Sequence, residues 1–125
     1  MLRTLIIVDD DAFLTLELSH ALTEFGFAVL GQARNLADAR ALLRVRLPAS
    51  ALVSAQLADG EDGVTLSRDL QACDVRVVLT GRNSVDGWTG PFLRKPFEAK
   101  RVIDLLAVQQ EPLVAKTWVR GVSFE

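Results

Sequence analysis

Two adjacent carboxylates, Asp9 and Asp10, follow the apolar run Leu5-Ile6-Ile7-Val8, and Asp11 comes directly after them. Vicinal carboxylates at the end of a strand suit a hard cation such as Mg²⁺, which takes oxygen ligands and keeps several waters. Three later apolar runs end in other polar groups. Ala51-Leu52-Val53 ends in Ser54, Val75-Arg76-Val77-Val78-Leu79 ends in Thr80, and Phe92-Leu93-Arg94 ends in Lys95-Pro96. A hydroxyl and an ammonium are groups that hold phosphoryl oxygens. If the four runs are parallel strands, their ends meet on one edge of a sheet. The central position of that edge holds Ser54, where phosphoryl chemistry wants a carboxylate nucleophile.

The elements that must position these groups alternate along the chain. Leu5 to Val8 is short, β-branched and apolar on both faces, which predicts a buried strand. Ala12 to Phe25 predicts a helix with Leu14, Leu18, Ala21, Leu22 and Phe25 inward, stopped by Gly26. A second strand is predicted over Phe27 to Leu30, closed by Gly31. Asn35 caps a helix to about Arg46 with Leu36, Ala39 and Leu43 inward. Ala51 to Ser54, Val75 to Thr80 and Phe92 to Arg94 are the remaining strands. Helices are predicted over Val64 to Ala72, and from Glu98 to about Gln109 with Val102, Leu105 and Leu106 inward. Strand-helix alternation implies an α/β fold: a doubly wound, five-stranded parallel sheet with helices on both faces. Ligands of such sheets bind outside the carboxyl ends of the strands, the edge that carries Asp9, Asp10, Ser54, Thr80 and Lys95.

One crossover is too short. Between Thr80 and Lys95 lies Gly81-Arg82-Asn83-Ser84-Val85-Asp86-Gly87-Trp88-Thr89-Gly90-Pro91, with three glycines, a proline and no apolar periodicity. A parallel crossover with its helix needs about a dozen residues or more before the next strand begins. A loop or a single helical turn is predicted here, so the fourth helix is reduced or absent.

The bulk composition narrows the class. The chain has 125 residues, half of them apolar, and a net charge of −2. That predicts a globular core and no concentrated basic surface for a nucleic acid. One cysteine, Cys73, excludes an intrachain disulfide and fits a reducing, cytoplasmic setting. No apolar run reaches membrane-spanning length. The expected organisation is one domain over residues 1–110. Residues 111–125 form an apolar extension that packs on the domain, over the surface left by the reduced helix, or on a partner. Its Leu113, Val114, Trp118, Val119, Val122 and Phe124 are too apolar for a free tail.

The quoted motifs resemble the receiver domain of bacterial two-component response regulators (CheY-like, flavodoxin-like fold). The matching pieces are Val8-Asp9-Asp10, the third strand with its Ser54-Ala55-Gln56-Leu57 exit and later Asp62-Gly63, Val78-Leu79-Thr80-Gly81, and Phe92-Leu93-Arg94-Lys95-Pro96-Phe97. Together they cover roughly residues 3 to 109. The resemblance implies that Asp9 and Asp10 are metal-binding acids and that Gln56 lends its backbone carbonyl to the same Mg²⁺. It implies a switch role for Thr80 and Phe92, a phosphoryl contact for Lys95, and a Lys95-Pro96 bond of a kind often cis. Ser54 stands at the phosphoacceptor position. Serine is a far weaker acid than aspartic acid and no base stands beside it, so phosphorylation from a histidine kinase should fail. The lost charge also weakens the cation site.

Other residues have plainer readings. Asp11 is a helix N-cap. His20, off the apolar face of its helix, is a solvated surface residue. Asp59, Glu61 and Asp62 are the nearest substitute acceptors, but they lie beyond the strand end and out of line with Lys95. Trp88 either packs or marks a partner surface. A hydrolase built on Asp9, Asp10 and Lys95 lacks a nucleophile other than Ser54 and a base to activate it. The expected function is therefore a stand-alone, non-enzymatic pseudo-receiver. It binds a histidine kinase, a phosphotransfer protein or another regulator, and is compatible with a homodimer. The alternative is a working single-domain regulator phosphorylated at another acid.

Overall fold

A computed structural model describes residues 3–107. The apolar extension over 111–125 and the end of the last predicted helix lie outside the described residues. Five parallel strands form one sheet in the order β2-β1-β3-β4-β5. They are β1 (Thr4–Val8), β2 (Ala28–Ala33), β3 (Ser50–Ser54), β4 (Arg76–Gly81) and β5 (Phe92–Arg94). Between them run α1 (Ala12–Phe25), α2 (Leu36–Val45) and α3 (Gly63–Ala72), and a last helix spans 99–107. No helix among the described residues is long and apolar enough to cross a membrane.

Strand periodicity divides the core in two. Leu5, Ile7, Leu52 and Val78 face one side and pack with Leu18 and Leu22 of α1 and Val102 and Leu106 of the last helix. Ile6, Val8, Val53 and Val77 face the other and pack with Ala39 of α2 and Leu66 and Leu70 of α3. Successive side chains of a strand point to opposite faces, so runs apolar at every position are what a two-sided sheet requires.

Two predicted details change. β2 does not close at Gly31 but continues to Ala33, because the backbone there passes under α2; a Cβ on Gly31 would lie 2.7 Å from Leu42 Cδ2. Glycine serves here as clearance and not as a stop. Phe25 is 49% exposed and not inward. It stacks on Phe27 at 6.2 Å between centroids, with the Arg3 guanidinium 5.8 Å from its own ring and 5.2 Å from that of Phe27. Gly26 then ends α1 at φ +112°, its N–H donating to the Leu22 and Thr23 carbonyls. That left-handed geometry is the one glycine adopts without strain.

The β4–β5 connection contains a turn and no helix. Trp88 fills the space instead. Its ring packs against the core on the α2–α3 face. Its indole N–H donates to the Pro91 carbonyl at 3.1 Å, and Gln71 of α3 donates to the Thr89 carbonyl at 2.8 Å. One half-buried aromatic and one side-chain amide hold in place a segment that has too few residues for a helix.

Candidate functional site at the strand ends

The sheet register brings the polar residues together. Val8 pairs with Val53, and Ser54 with Thr80. Past the paired strands the ladder continues: Asp9 N–H donates to Ala33 O, Ala55 N–H to Thr80 O, and Lys95 N–H to Gly81 O. Asp9, Ser54 and Lys95 therefore reach one edge as neighbours, although 41 positions separate Ser54 from Lys95. The Lys95-Pro96 bond is cis.

A continuous polar chain runs across this edge. Lys95 Nζ lies 2.9 Å from Asp9 Oδ2. The same ammonium donates to Ser54 Oγ at 3.3 Å, and the Ser54 hydroxyl donates onward to the Gln56 carbonyl at 2.9 Å. Asp9 Oδ1 accepts the Asp11 N–H at 2.9 Å. Asp9 and Ser54 are buried, while the Lys95 side chain keeps 23% of its surface in water. The pair is thus worth less than the about 3–5 kcal/mol lost on breaking a fully buried one. A cavity of about 470 Å³ opens beside it, lined by Asp10, Ser54, Gln56, Asp62, Arg82 and Lys95 among others.

Not every predicted residue joins this cluster. The Thr80 hydroxyl is buried and turned back toward the Val53 carbonyl, at 3.5 Å. Phe92 lines a separate groove with Pro96, Phe97 and Arg101. His20 is exposed.

The loop after β3 is shaped by residues whose part in the site was not foreseen. Glu61 reaches across to the start of α2, where its Oε1 accepts the Leu36 N–H at 2.9 Å. No sequence signal links residues 25 positions apart in this way. Asp62 caps α3, accepting from Val64 N–H and from Thr65 Oγ1, both at 2.8 Å. An aspartate immediately before a helix start is a legible N-cap. The Thr65 hydrogen bond is the main reason the Asp62 carboxyl lies below its ordinary value of 3.8; backbone N–H groups and Arg68 add to it, and slight desolvation opposes it. A lowered carboxyl stabilises the fold above its ordinary value, and that contribution is lost as pH falls through the folded-state value. Asp62→Ala is expected to cost about 1 kcal/mol near neutral pH and to flatten the acid limb of the stability curve. Urea titrations across acidic pH measure both; an unchanged acid limb refutes the assignment.

No family model matches the chain. It is 34% identical over 121 residues to the photosynthetic apparatus regulatory protein RegA of Cereibacter sphaeroides, covering 89% of this chain and 65% of that protein. The chain thus spans about two thirds of RegA's length. It is 26% identical over 117 residues to the chemotaxis protein CheY of Bacillus subtilis, covering 85% of this chain and 96% of CheY. The solution structure of the receiver domain of the Erythrobacter litoralis response regulator PhyR superposes with a TM-score of 0.78 at 21% identity, covering 87% of this chain and 90% of that domain. The chain has the receiver fold, and in sequence it is similar to response-regulator proteins; it diverges at the end of β3 and in the β4–β5 connection.

Proposed function

We propose that this receiver domain works in two-component signalling as a binding module whose phosphoryl switch is disabled at Ser54. The observation that carries this reading is the Ser54 hydroxyl itself. It stands at the end of β3, 3% exposed, hydrogen-bonded to Lys95 and to the Gln56 carbonyl. An acyl phosphate forms only when a carboxylate oxygen attacks phosphorus, and this position offers none. Thr80, Phe92 and Lys95 keep the switch and phosphoryl-contact positions of a receiver, but without an aspartyl phosphate nothing biases them between two states. Output then comes from protein contact, with a histidine kinase, a phosphotransfer protein or another regulator as the partner class. A homodimer and a cytoplasmic setting belong to the same reading, and no enzymatic step is part of it.

Phosphorylation at another acid is disfavoured by what those acids do. Glu61 caps α2 and Asp62 caps α3. Asp59 stands exposed at φ +63° in the turn Ala58–Gly60, away from the cavity lining around Lys95. The test is incubation with acetyl phosphate and Mg²⁺ followed by intact-mass measurement. No mass increase is expected. A hydroxylamine-labile phosphoryl adduct on any aspartate or glutamate would replace this reading with that of a working regulator.

A further inference from the structure

We infer that the Lys95 ammonium has taken the place of a divalent cation, so that this receiver's folded state is complete without Mg²⁺. The inference deepens the reading of Ser54 given above, but it concerns the ligands of the cation and not the nucleophile.

The cation that the fold implies would need Asp9, Asp10 and the Gln56 carbonyl. Two of those three are already engaged. Asp9 gives one oxygen to Lys95 Nζ at 2.9 Å and the other to the Asp11 N–H. The Gln56 carbonyl accepts the Ser54 hydroxyl. That hydroxyl has a single proton. Because its oxygen accepts from Lys95, the proton is free to point at Gln56, and the ammonium therefore fixes the direction of the bond that occupies the carbonyl. Of the three, Asp10 alone, half-exposed at the cavity rim, makes no side-chain hydrogen bond or ion pair among the described residues. The donors present do not fit Mg²⁺, which dehydrates reluctantly and demands near-octahedral oxygen geometry.

Serine at position 54 is what makes the substitution self-consistent. A third carboxylate there would compete with Asp9 for Lys95 and add a negative charge that one ammonium cannot offset. Serine does the reverse: it brings no charge, accepts from the ammonium and shuts the backbone carbonyl. One internal positive charge, carried in from the end of β5, then joins the ends of β1 and β3, the two elements that a metal held by Asp9, Asp10 and Gln56 would join.

The test uses the full chain. Free Mn²⁺ is followed by electron paramagnetic resonance during titration, and thermal midpoints are compared in Mg²⁺ and in EDTA. The wild type should show no saturable Mn²⁺ site and no Mg²⁺-dependent shift of its midpoint. Lys95→Met should gain Mn²⁺ affinity by about tenfold or more, the scale on which single supporting groups alter metal sites, and its midpoint should rise with Mg²⁺. Asp10→Asn in that background should abolish the gain, and Lys95→Arg should remain blind to both metals. Saturable Mn²⁺ binding by the wild type, with broadening of the Asp10, Asp11 and Ala55 amide signals, overturns the inference even if Lys95→Met fails to fold. So does a Lys95→Met protein that folds yet gains no affinity. Neither result would restore a nucleophile, so the reading of Ser54 is judged separately by the phosphodonor experiment.

Discussion

Ser54→Asp should convert an inert domain into one that accepts a phosphoryl group from acetyl phosphate. The substitution places a carboxylate at the end of β3, where Lys95 Nζ already lies 3.3 Å from the native hydroxyl oxygen. A carboxylate oxygen can then attack phosphorus while the bond to acetate breaks and acetate leaves with the electron pair. The surrounding geometry is already in place, and pre-positioning is the largest part of such an acceleration. Labelling is expected to rise at least about a hundredfold above wild-type background. The cost falls on stability. A new carboxylate next to Asp9 and Asp10 is repelled by both, and the variant should lose roughly 1–2 kcal/mol in EDTA. Adding Mg²⁺ should recover that loss in the variant and do nothing for the wild type. Intact mass after acetyl phosphate treatment and paired urea titrations give both quantities. A Ser54→Asp protein that folds, binds Mg²⁺ and still takes no phosphoryl group would mean that the divergence of this site extends beyond one residue.

Gly63→Ala should be among the most damaging single changes available in the loop beside the site. Its φ is not positive, so conformational freedom is not the reason. A Cβ there would lie 1.8 Å from the Ser54 carbonyl oxygen, and the neighbouring contact is backbone that cannot swing aside. Gly63 N–H donates to the Ala55 carbonyl, and Gln56 bridges to Asp62 across the same loop. Relieving the clash therefore means lifting the start of α3 away from the end of β3. Overpacking usually costs 1–3 kcal/mol, and more where backbone must move; about 3–5 kcal/mol or failure to fold is expected here. Gly60→Ala is the control. Gly60 has φ +74° and open space around it, so alanine there incurs only local strain of about 1 kcal/mol. Equal denaturation midpoints for the two variants would show that close approach at Gly63 does not govern the loop.

Both results depend on a distinction between what local sequence encodes and what assembly decides. The apolar strands, the helix caps at Asp11 and Asn35, and the strand-helix alternation are written in the order of residues. They follow from short-range sterics and from the period of side chains along a helix or a strand. So is the shortage of residues between Thr80 and Lys95, because a helix needs length whatever surrounds it. Those signals identify the fold and place Asp9, Ser54 and Lys95 on one edge. The family's motif supplies their names.

Tertiary packing decided the rest. Whether Gly31 ends β2 depends on Leu42, eleven positions away, and whether Phe25 is inward depends on Phe27 and Arg3. Trp88 could have marked a partner surface by sequence alone; only the space beside α3 makes it the substitute for a missing helix. At the site itself, the sequence shows an acid pair, a serine, an amide residue and a lysine, but it does not say which oxygen each cation or hydroxyl takes. Lys95 selects Asp9 over Asp10, and Ser54 selects the Gln56 carbonyl, because parallel register sets their spacing to a few tenths of an ångström. Hydrogen bonds and ion pairs vary steeply over that range, and residues 41 positions apart acquire such distances only when the sheet closes.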